Sequence, residues 1–133
     1  MYLLDTNVCI RLLNDRNNSP FVQQFARRSP TDFKLCSVVK SELYYGTFKS
    51  SRRSQNLEKL GQFFQQFESL KFDDTSAQIV GQIRANLDAM GTPIGSNDLL
   101  IAAIALSNNL TLLTHNTREF NRIDNLQIED WET

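Results

Sequence analysis

Short apolar segments alternate with longer helical patterns along the whole chain, and this alternation limits the folds that the sequence can adopt. Residues 2–4, 33–37, 111–114 and 126–128 have the length and composition of β-strands. The stretches between them have helical spacing, and intervening helices are typical of parallel strands because a parallel pair needs a crossover connection. The pattern therefore predicts an α/β fold with a mostly parallel sheet.

Capping residues and apolar spacing predict the helices. Thr6 or Asn7 can cap a first helix, and the Asn and Ser before Pro20 mark the start of a second. Apolar residues at helical spacing in residues 39–46 and 57–67 predict two helices paired as an αα hairpin. Three further helices are predicted. The first covers residues 75–90 and ends at Gly91, the second is the most apolar and begins at residues 95–98, and the third covers residues 116–123.

Length and composition favour a single domain over residues 1–133. A chain with 41% hydrophobic and 22% charged residues is ordinary for a soluble protein, and Cys9 and Cys36 in apolar surroundings are expected to be core thiols. The longest apolar run, residues 99–106, is less than half the length of a membrane-spanning helix. The start, Met-Tyr-Leu-Leu-Asp, leaves no room for a signal peptide. We therefore expect a cytoplasmic protein without a membrane partner.

Basic and acidic residues are distributed unevenly along the chain. Residues 1–60 carry ten Lys or Arg against five Asp or Glu, whereas residues 61–133 carry four against ten. A basic surface would therefore come from the first half. These charges can be solvated helix ends, or they can contact phosphates if a phosphate-cleaving site lies nearby. The obvious candidates are Arg27, Arg28, Lys49, Arg52 and Arg53.

Three acidic residues are predicted to meet at one edge of the sheet. Asp5 directly follows the first strand, Glu42 lies early in the helix after the second, and Asp98 lies in the first turn of the most apolar helix. Ligands collect at the carboxyl ends of the strands in such sheets. Converging carboxylates raise each other's pKa values, and a divalent cation removes that cost. Oxygen ligands and a single histidine favour Mg²⁺ or Mn²⁺ over zinc.

Each of these acidic residues also has a structural explanation. Asp98 can interact with the dipole of its helix, Asp5 can cap the first helix, and Glu42 can be a solvated helix residue. An aspartate after the first strand also suits a phosphatase or phosphoacceptor, but this chain lacks a second aspartate two residues later.

Polar residues near residue 115 have structural interpretations as well. We interpret His115 as a loop or cap residue rather than a catalytic base, because no Ser or Cys partner can be placed near it. Asn116, with Glu119 three residues later, has the spacing of a helix capping box. Asn116 can instead offer a neutral oxygen at the edge of a metal site.

Four sequence blocks in order resemble the PIN-domain ribonucleases, and among them the VapC toxins of bacterial toxin–antitoxin pairs. The blocks are LDTN at 4–7, SELYYG at 41–46, GTPIGSND at 91–98 and LTHNTREF at 113–120, and IEDW at 128–131 is also similar to VapC chains. The resemblance implies a three-layer α/β/α sandwich, Mg²⁺-dependent endonucleolytic cleavage of RNA, and a homodimer. It also implies inhibition by a VapB-type antitoxin that inserts a segment into the active-site groove.

The resemblance assigns roles residue by residue. Asp5, Glu42 and Asp98 match the three core acidic residues of the family, and Thr6 and Ser96 match positions whose hydroxyls support the metal and its waters. Asn116 departs from the family pattern, because many PIN domains have a fourth aspartate there, and this puts a second metal in doubt. Asn7 and Glu119 are further supporting candidates. Lys49, Arg52 and Arg53, between the two hairpin helices, are candidates for RNA binding.

The resemblance leaves two questions of function open. RNA is favoured over DNA on the resemblance alone, and some VapC relatives cut initiator tRNA in the anticodon arm, which this chain could also do. The alternative is a non-catalytic, partner-binding module that has kept the fold but lost its metal through Asn116.

Overall fold

A five-stranded parallel sheet forms the centre of the computed structural model, which describes residues 1–15 and 18–132. The spatial order of the strands is β3-β2-β1-β4-β5, and every neighbouring pair is parallel. The prediction of an α/β fold is confirmed, and helices on both faces make it the three-layer sandwich that the resemblance implies. The strands are β1 (Tyr2–Leu4), β2 (Phe33–Cys36), β3 (Glu68–Leu70), β4 (Thr111–Leu113) and β5 (Ile128–Glu129).

Helices form every connection between consecutive strands. The two helices predicted as an αα hairpin, α3 and α4, pack against each other between β2 and β3, and α5 packs along α6 between β3 and β4. The helices are α1 (Thr6–Asn14), α2 (Pro20–Ala26), α3 (Ser37–Lys49), α4 (Arg53–Phe64), α5 (Asp74–Met90), α6 (Ser96–Ser107) and α7 (Thr117–Phe120). None of the helices in the described ranges is long and apolar enough to cross a membrane.

The order of the strands reverses beside β1. The chain builds outward from β1 to β2 and β3, and then returns to place β4 on the other side of β1. In open sheets of this class, ligands bind outside the carboxyl ends of the strands at such a topological switch point. The N–H of Asp5 donates a 3.1 Å hydrogen bond to the carbonyl of Leu113, so the residues after β1 and β4 are held together there.

Central strands and one helix supply most of the core. Leu3, Leu4 and Leu35 are fully buried, as their near-continuous apolar runs predict for strands covered on both faces. Helix α6 has six buried residues between Leu99 and Ala105, so the most apolar predicted helix is also the most buried one. Cys9 and Cys36 are buried free thiols, which confirms their assignment to the core.

The edge strand β3 was not predicted, and the preceding helix is shorter than predicted. Helix α4 ends at Phe64 instead of continuing to Phe67, whose ring packs on Phe33 and Phe63. Strand β3 has only three residues and lacks a buried one. Such a segment carries no alternating apolar pattern, so its pairing with β2 could not be detected in the sequence.

The predicted helix starts are partly correct. Ser19 caps α2 through a 3.4 Å hydrogen bond from the Val22 N–H, as the sequence before Pro20 indicates. The cap of α1 is Asp5, whose carboxylate accepts the N–H of Thr6. This confirms the structural explanation of Asp5, and the prediction of Thr6 or Asn7 as the cap is wrong. Helix α5 ends where Gly91 adopts the left-handed conformation, at a φ of 68°, which glycine reaches without strain.

Candidate metal centre and active site

Asp5 is a buried carboxylate whose position is fixed by two hydrogen bonds. It is 5% exposed, and it leaves β1 at the switch point. Its Oδ1 accepts the Thr6 N–H at 2.8 Å, and its Oδ2 accepts the Thr114 hydroxyl at 2.7 Å. Burial raises the pKa of Asp5, and the charge of Glu42 adds to this rise. The carboxylate is therefore held in a place that disfavours its charged form.

Glu42 joins this site through Thr6. The Thr6 hydroxyl donates a 2.7 Å hydrogen bond to Glu42 Oε1, while its backbone N–H donates to Asp5. Glu42 is the sixth residue of α3, so it lies in the second turn of the helix. One threonine thus orients two acidic side chains that are 37 positions apart in the sequence.

Asp98 lies in the first turn of α6, where the sequence placed it. Its Oδ2 is 3.5 Å from where a Cβ on Gly95 would lie, so the carboxylate bends back over the helix start. The pKa of Asp98 is raised to about 7, first by desolvation and then by a hydrogen bond with the Glu119 side chain. The charges of Asp5, Glu119 and Glu42 raise it further.

Glu119 is the fourth member of this acidic group, and its role differs from the predicted one. The prediction of a capping box is wrong, because the Asn116 side chain makes no capping hydrogen bond to α7. Instead, Asn116 Nδ2 donates to Glu119 Oε2 at 3.1 Å, and the Asn116 N–H donates to Thr114 Oγ1 at 3.0 Å. Glu119 therefore contacts two side chains, the Asn116 amide at the start of the one-turn helix α7 and the Asp98 carboxylate.

We call Asp5, Glu42, Asp98 and Glu119 the switch-point carboxylates. Ion pairs among the described residues join Arg11 to Glu132, Lys34 to Glu68 and His115 to Asp130, so none reaches these four side chains. Their partners are hydroxyls, amides and one another. The acidic neighbours raise the pKa values of Asp5 and Asp98, and a divalent cation stabilises such a group of carboxylates in the charged form.

The donor set fits a hard cation such as Mg²⁺. All four side chains offer carboxylate oxygens, and the single histidine of the chain, His115, contacts Asp130 instead. Mg²⁺ keeps several waters and is bound through one or two carboxylates, so it does not need a closed protein cage. This agrees with the open spacing of the group, which is wider than that of the cluster described next.

A second acidic group, which we call the tail cluster, consists of His115, Asp130 and Glu132. In the described part of the chain, it is the one group of three such residues whose ligand atoms all lie within 4.8 Å of one another. Yet each carboxylate already has a protein partner: Asp130 contacts His115 Nδ1 at 3.0 Å, and Glu132 accepts Arg11 Nη1 at 2.7 Å. The tail cluster therefore fastens the end of the chain to α1 and to the loop after β4.

The remaining predicted residues lie in different places. Ser96 is exposed, is the first residue of α6, and lines a cavity with Arg84 and Pro93. Lys49 ends α3, Arg52 lies between the hairpin helices, and Arg53 begins α4; all three are exposed.

Sequence reasoning missed Thr114, the buried partner of Asp5. Thr114 is 1% exposed, and its hydroxyl donates to Asp5 Oδ2 while accepting the Asn116 N–H. It directly follows β4, as Asp5 follows β1. The predicted strand, residues 111–114, included Thr114, whereas β4 ends at Leu113, so the sequence pattern hid its place at the carboxyl end of the strand.

Two cavities adjoin the site, and Glu42 and Ile10 line both. Most of the residues that line the first cavity, about 500 Å³, are polar, among them Thr6, Asn7 and Asn97. The second, about 310 Å³, runs between α1, α3 and α4 and is more apolar, with Leu13, Leu43, Gly46 and Leu60 in its wall. A polar and an apolar groove thus meet at one acidic side chain.

Comparisons with known proteins agree with this geometry. The PIN domain family matches residues 2–126. The chain is 37% identical over 132 residues to "Ribonuclease VapC2" of Rickettsia felis, covering 99% of this chain and 98% of the relative. It is 37% identical over 130 residues to "tRNA(fMet)-specific endonuclease VapC" of Shigella flexneri, covering 98% and 97%.

Solved structures show the same architecture. The VapBC2 complex from Rickettsia felis, bound to a DNA fragment from its promoter, contains a chain with a TM-score of 0.87 and 37% identity over 98% of both chains. The DNA-bound VapBC from Salmonella typhimurium matches with a TM-score of 0.89 and 37% identity, covering 98% of this chain and 97% of the other.

Proposed function

The chain belongs to the PIN-domain family, within its VapC ribonucleases, and from this premise we propose that it is the toxin of a type II toxin–antitoxin pair. In this proposal it hydrolyses RNA phosphodiester bonds with Mg²⁺, or with Mn²⁺ as a substitute. The observation that carries the proposal is the meeting of four carboxylates at the switch point, where the described residues supply no cation.

Three of the switch-point carboxylates have a part in the proposed reaction. Asp5 and Asp98 would hold the metal, and Glu42 would hold it or orient the attacking water. The chemistry that such an ion supplies when bound is activation of water and neutralisation of charge that develops on the phosphate. Thr6 and Thr114 keep two of the carboxylates in place through their hydroxyls. By analogy with the family, the products carry 5′-phosphate and 3′-hydroxyl ends.

Basic residues beside the site would bind the RNA strand. Lys49, Arg52 and Arg53 are exposed at the end of the αα hairpin that carries Glu42. In the proposal they contact phosphates that flank the cut, so binding weakens as salt concentration rises. Because a relative is named as specific for tRNA(fMet), a tRNA anticodon arm is the first structured substrate to test. Its loop exposes unpaired bases and 2′-hydroxyls.

An antitoxin would occupy the apolar groove. The cavity between α1, α3 and α4 begins at Glu42 and continues along Leu13, Leu43 and Leu60. An apolar segment seated there would run directly to the acidic site, which suits a VapB-type antitoxin that blocks cleavage. A homodimer and a cytoplasmic location stay predictions of the resemblance and of the sequence.

Mapping of 5′ ends in total RNA tests the proposal. RNA is treated with purified protein in Mg²⁺ or in EDTA, and with Asp5→Ala as the inactive control. We expect new 5′-phosphate ends at few positions, which are absent in EDTA and with Asp5→Ala. The same new ends with both proteins would overturn the proposal and favour the alternative, a partner-binding module without activity.

A further inference from the structure

An aromatic side chain on α3 lies beside the acidic site, and we propose that Tyr45 is the stacking platform for an unpaired RNA base next to the cut bond. Asn7 and Asn97 would contact the edge of the same base. The inference rests on the proposed RNA-cleaving function and adds a base-binding pocket to it.

The order of side chains along α3 suits a nucleic acid strand. Glu42, Tyr45 and Lys49 are spaced three and four residues apart, so they lie on one side of the helix. Glu42 belongs to the switch-point carboxylates, Tyr45 follows about one turn later, and Lys49 about one further turn on. The helix thus presents three groups in a row that suit one RNA strand. The Glu42 carboxylate suits a metal at the phosphate that is cut, the Tyr45 ring suits a base, and the Lys49 ammonium suits the next phosphate.

The Tyr45 ring is the more exposed of two neighbouring tyrosine rings, and the other, Tyr44, packs on aromatic side chains. Tyr45 is 65% exposed, and Lys49 Nζ lies over its ring, 5.0 Å from the centroid. The cation covers one face and leaves the other for a ligand. The Tyr44 ring packs instead on Phe64 and Phe48, with centroids 5.4 and 6.3 Å away. Stacking on an exposed ring is how proteins bind unpaired bases.

The cavity beside Tyr45 has the chemistry of a base pocket. Its volume is about 500 Å³, and Thr6, Glu42, Asn7 and Asn97 share its wall with Tyr45. Side-chain amides both donate and accept hydrogen bonds, and neither asparagine amide has such a bond to another side chain or backbone group among the described residues. A planar base that stacks on Tyr45 would present its edge to these amides. Because Glu42 lines the cavity, that base belongs to a nucleotide beside the scissile phosphate.

A single-stranded RNA pool of random sequence tests the pocket. Cut sites are read from the sequenced 5′ ends, and kcat/KM is measured on the pool for wild type, Tyr45→Leu and the matched control Tyr44→Leu. We expect Tyr45→Leu to lower kcat/KM roughly 10- to 100-fold and to flatten the base preference at one position beside the cut. Tyr44→Leu should retain both the rate and the preference. Asn7→Ala and Asn97→Ala should change which base is preferred.

Several results would overturn the proposal of a base-binding pocket. One is an unchanged rate and base preference in Tyr45→Leu. Another is an equal loss of activity in Tyr45→Leu and Tyr44→Leu, which would show that the loss comes from disturbed packing of the helix. Normal cleavage by Tyr45→Leu with weaker binding of an antitoxin would make the ring a protein contact. If the wild type and Asp5→Asn give the same 5′ ends, the proposed function itself fails, and the pocket fails with it.

Discussion

The two acidic groups of this protein differ in where their neutralising charges come from. In the tail cluster, Arg11 pairs with Glu132 and His115 contacts Asp130. The switch-point carboxylates have hydroxyl and amide partners, and burial together with the neighbouring acidic charges raises the pKa values of Asp5 and Asp98. The first group is complete within the chain and fastens its end. The second has no ion pair with a basic side chain among the described residues, so a cation from outside would favour its charged form.

The largest expected effect is on activity. Asp5→Asn and Asp98→Asn each remove a metal-binding charge with little change in volume. We expect each to lower the rate of RNA cleavage more than about 100-fold. Substitution of residues that only hydrogen-bond to a metal ligand already lowers metal affinity or activity roughly 10- to 100-fold. Glu132→Gln, in the tail cluster, should stay within about threefold of the wild type. A comparable loss in Glu132→Gln, with its melting temperature retained, would remove the distinction between the two groups.

A smaller loss of activity is expected when the hydroxyl of Thr114, the buried hydrogen-bond partner of Asp5, is removed. Thr114→Val keeps the shape of the buried side chain and deletes the hydroxyl that donates to Asp5 Oδ2. We expect the rate of RNA cleavage to fall about 10-fold, as for other residues that hydrogen-bond to a metal ligand. The free energy of unfolding should fall by about 1–3 kcal/mol, because buried polar groups lose their partner. Thr114→Ser should retain most activity; if it behaves like Thr114→Val, the methyl group rather than the hydroxyl is what matters.

The pH dependence of stability should also separate the two groups. Asp98, with a pKa of about 7 in the folded protein against an ordinary value of 3.8, keeps its proton where the unfolded chain has lost it. The folded state then binds more protons, so the stability of metal-free protein falls as pH rises through this window. We expect a melting temperature a few degrees (~3–6 °C) lower at pH 8 than at pH 5 in EDTA.

Mg²⁺ should restore the melting temperature at pH 8, and Asp98→Asn should reduce the slope. Thermal unfolding of both proteins, with and without Mg²⁺, measures these effects. If wild type and Asp98→Asn have the same pH slope in EDTA, Asp98 does not carry the shifted pKa that the account requires.

The smallest effect is expected at Asn116. Asn116→Asp replaces the amide that donates to Glu119 with a fifth carboxylate, so the metal-free protein should lose a little stability through like-charge repulsion. The added charge should tighten Mn²⁺ binding, and cleavage should reach half its maximum at a severalfold lower metal concentration. Glu119→Gln combined with Asn116→Asp controls for total charge. Identical metal dependence in wild type and Asn116→Asp would confine Asn116 to its contact with Glu119.

Much of the fold and part of the site could be predicted from the sequence. The buried leucines of β1 and β4 and the apolar α6 have strong local patterns, and Asp5 and Asp98 are placed by the elements that they adjoin. Strand β3 could not be predicted, because an exposed three-residue edge is defined by its pairing with β2. The Asn116–Glu119 contact was misassigned, because a capping box and a contact across a one-turn helix have the same spacing.

Calorimetric titration with Mn²⁺ at pH 7.5 tests the central claim most directly, because it measures whether the switch-point carboxylates take a cation from solution. The wild type and Glu132→Gln should bind Mn²⁺ with the same affinity, and Asp98→Asn should bind it more than about 10-fold more weakly. A wild type that binds no Mn²⁺ would contradict a metal site at the switch point. Loss of binding in Glu132→Gln with unchanged binding in Asp98→Asn would also contradict it, because the metal would then belong to the tail cluster.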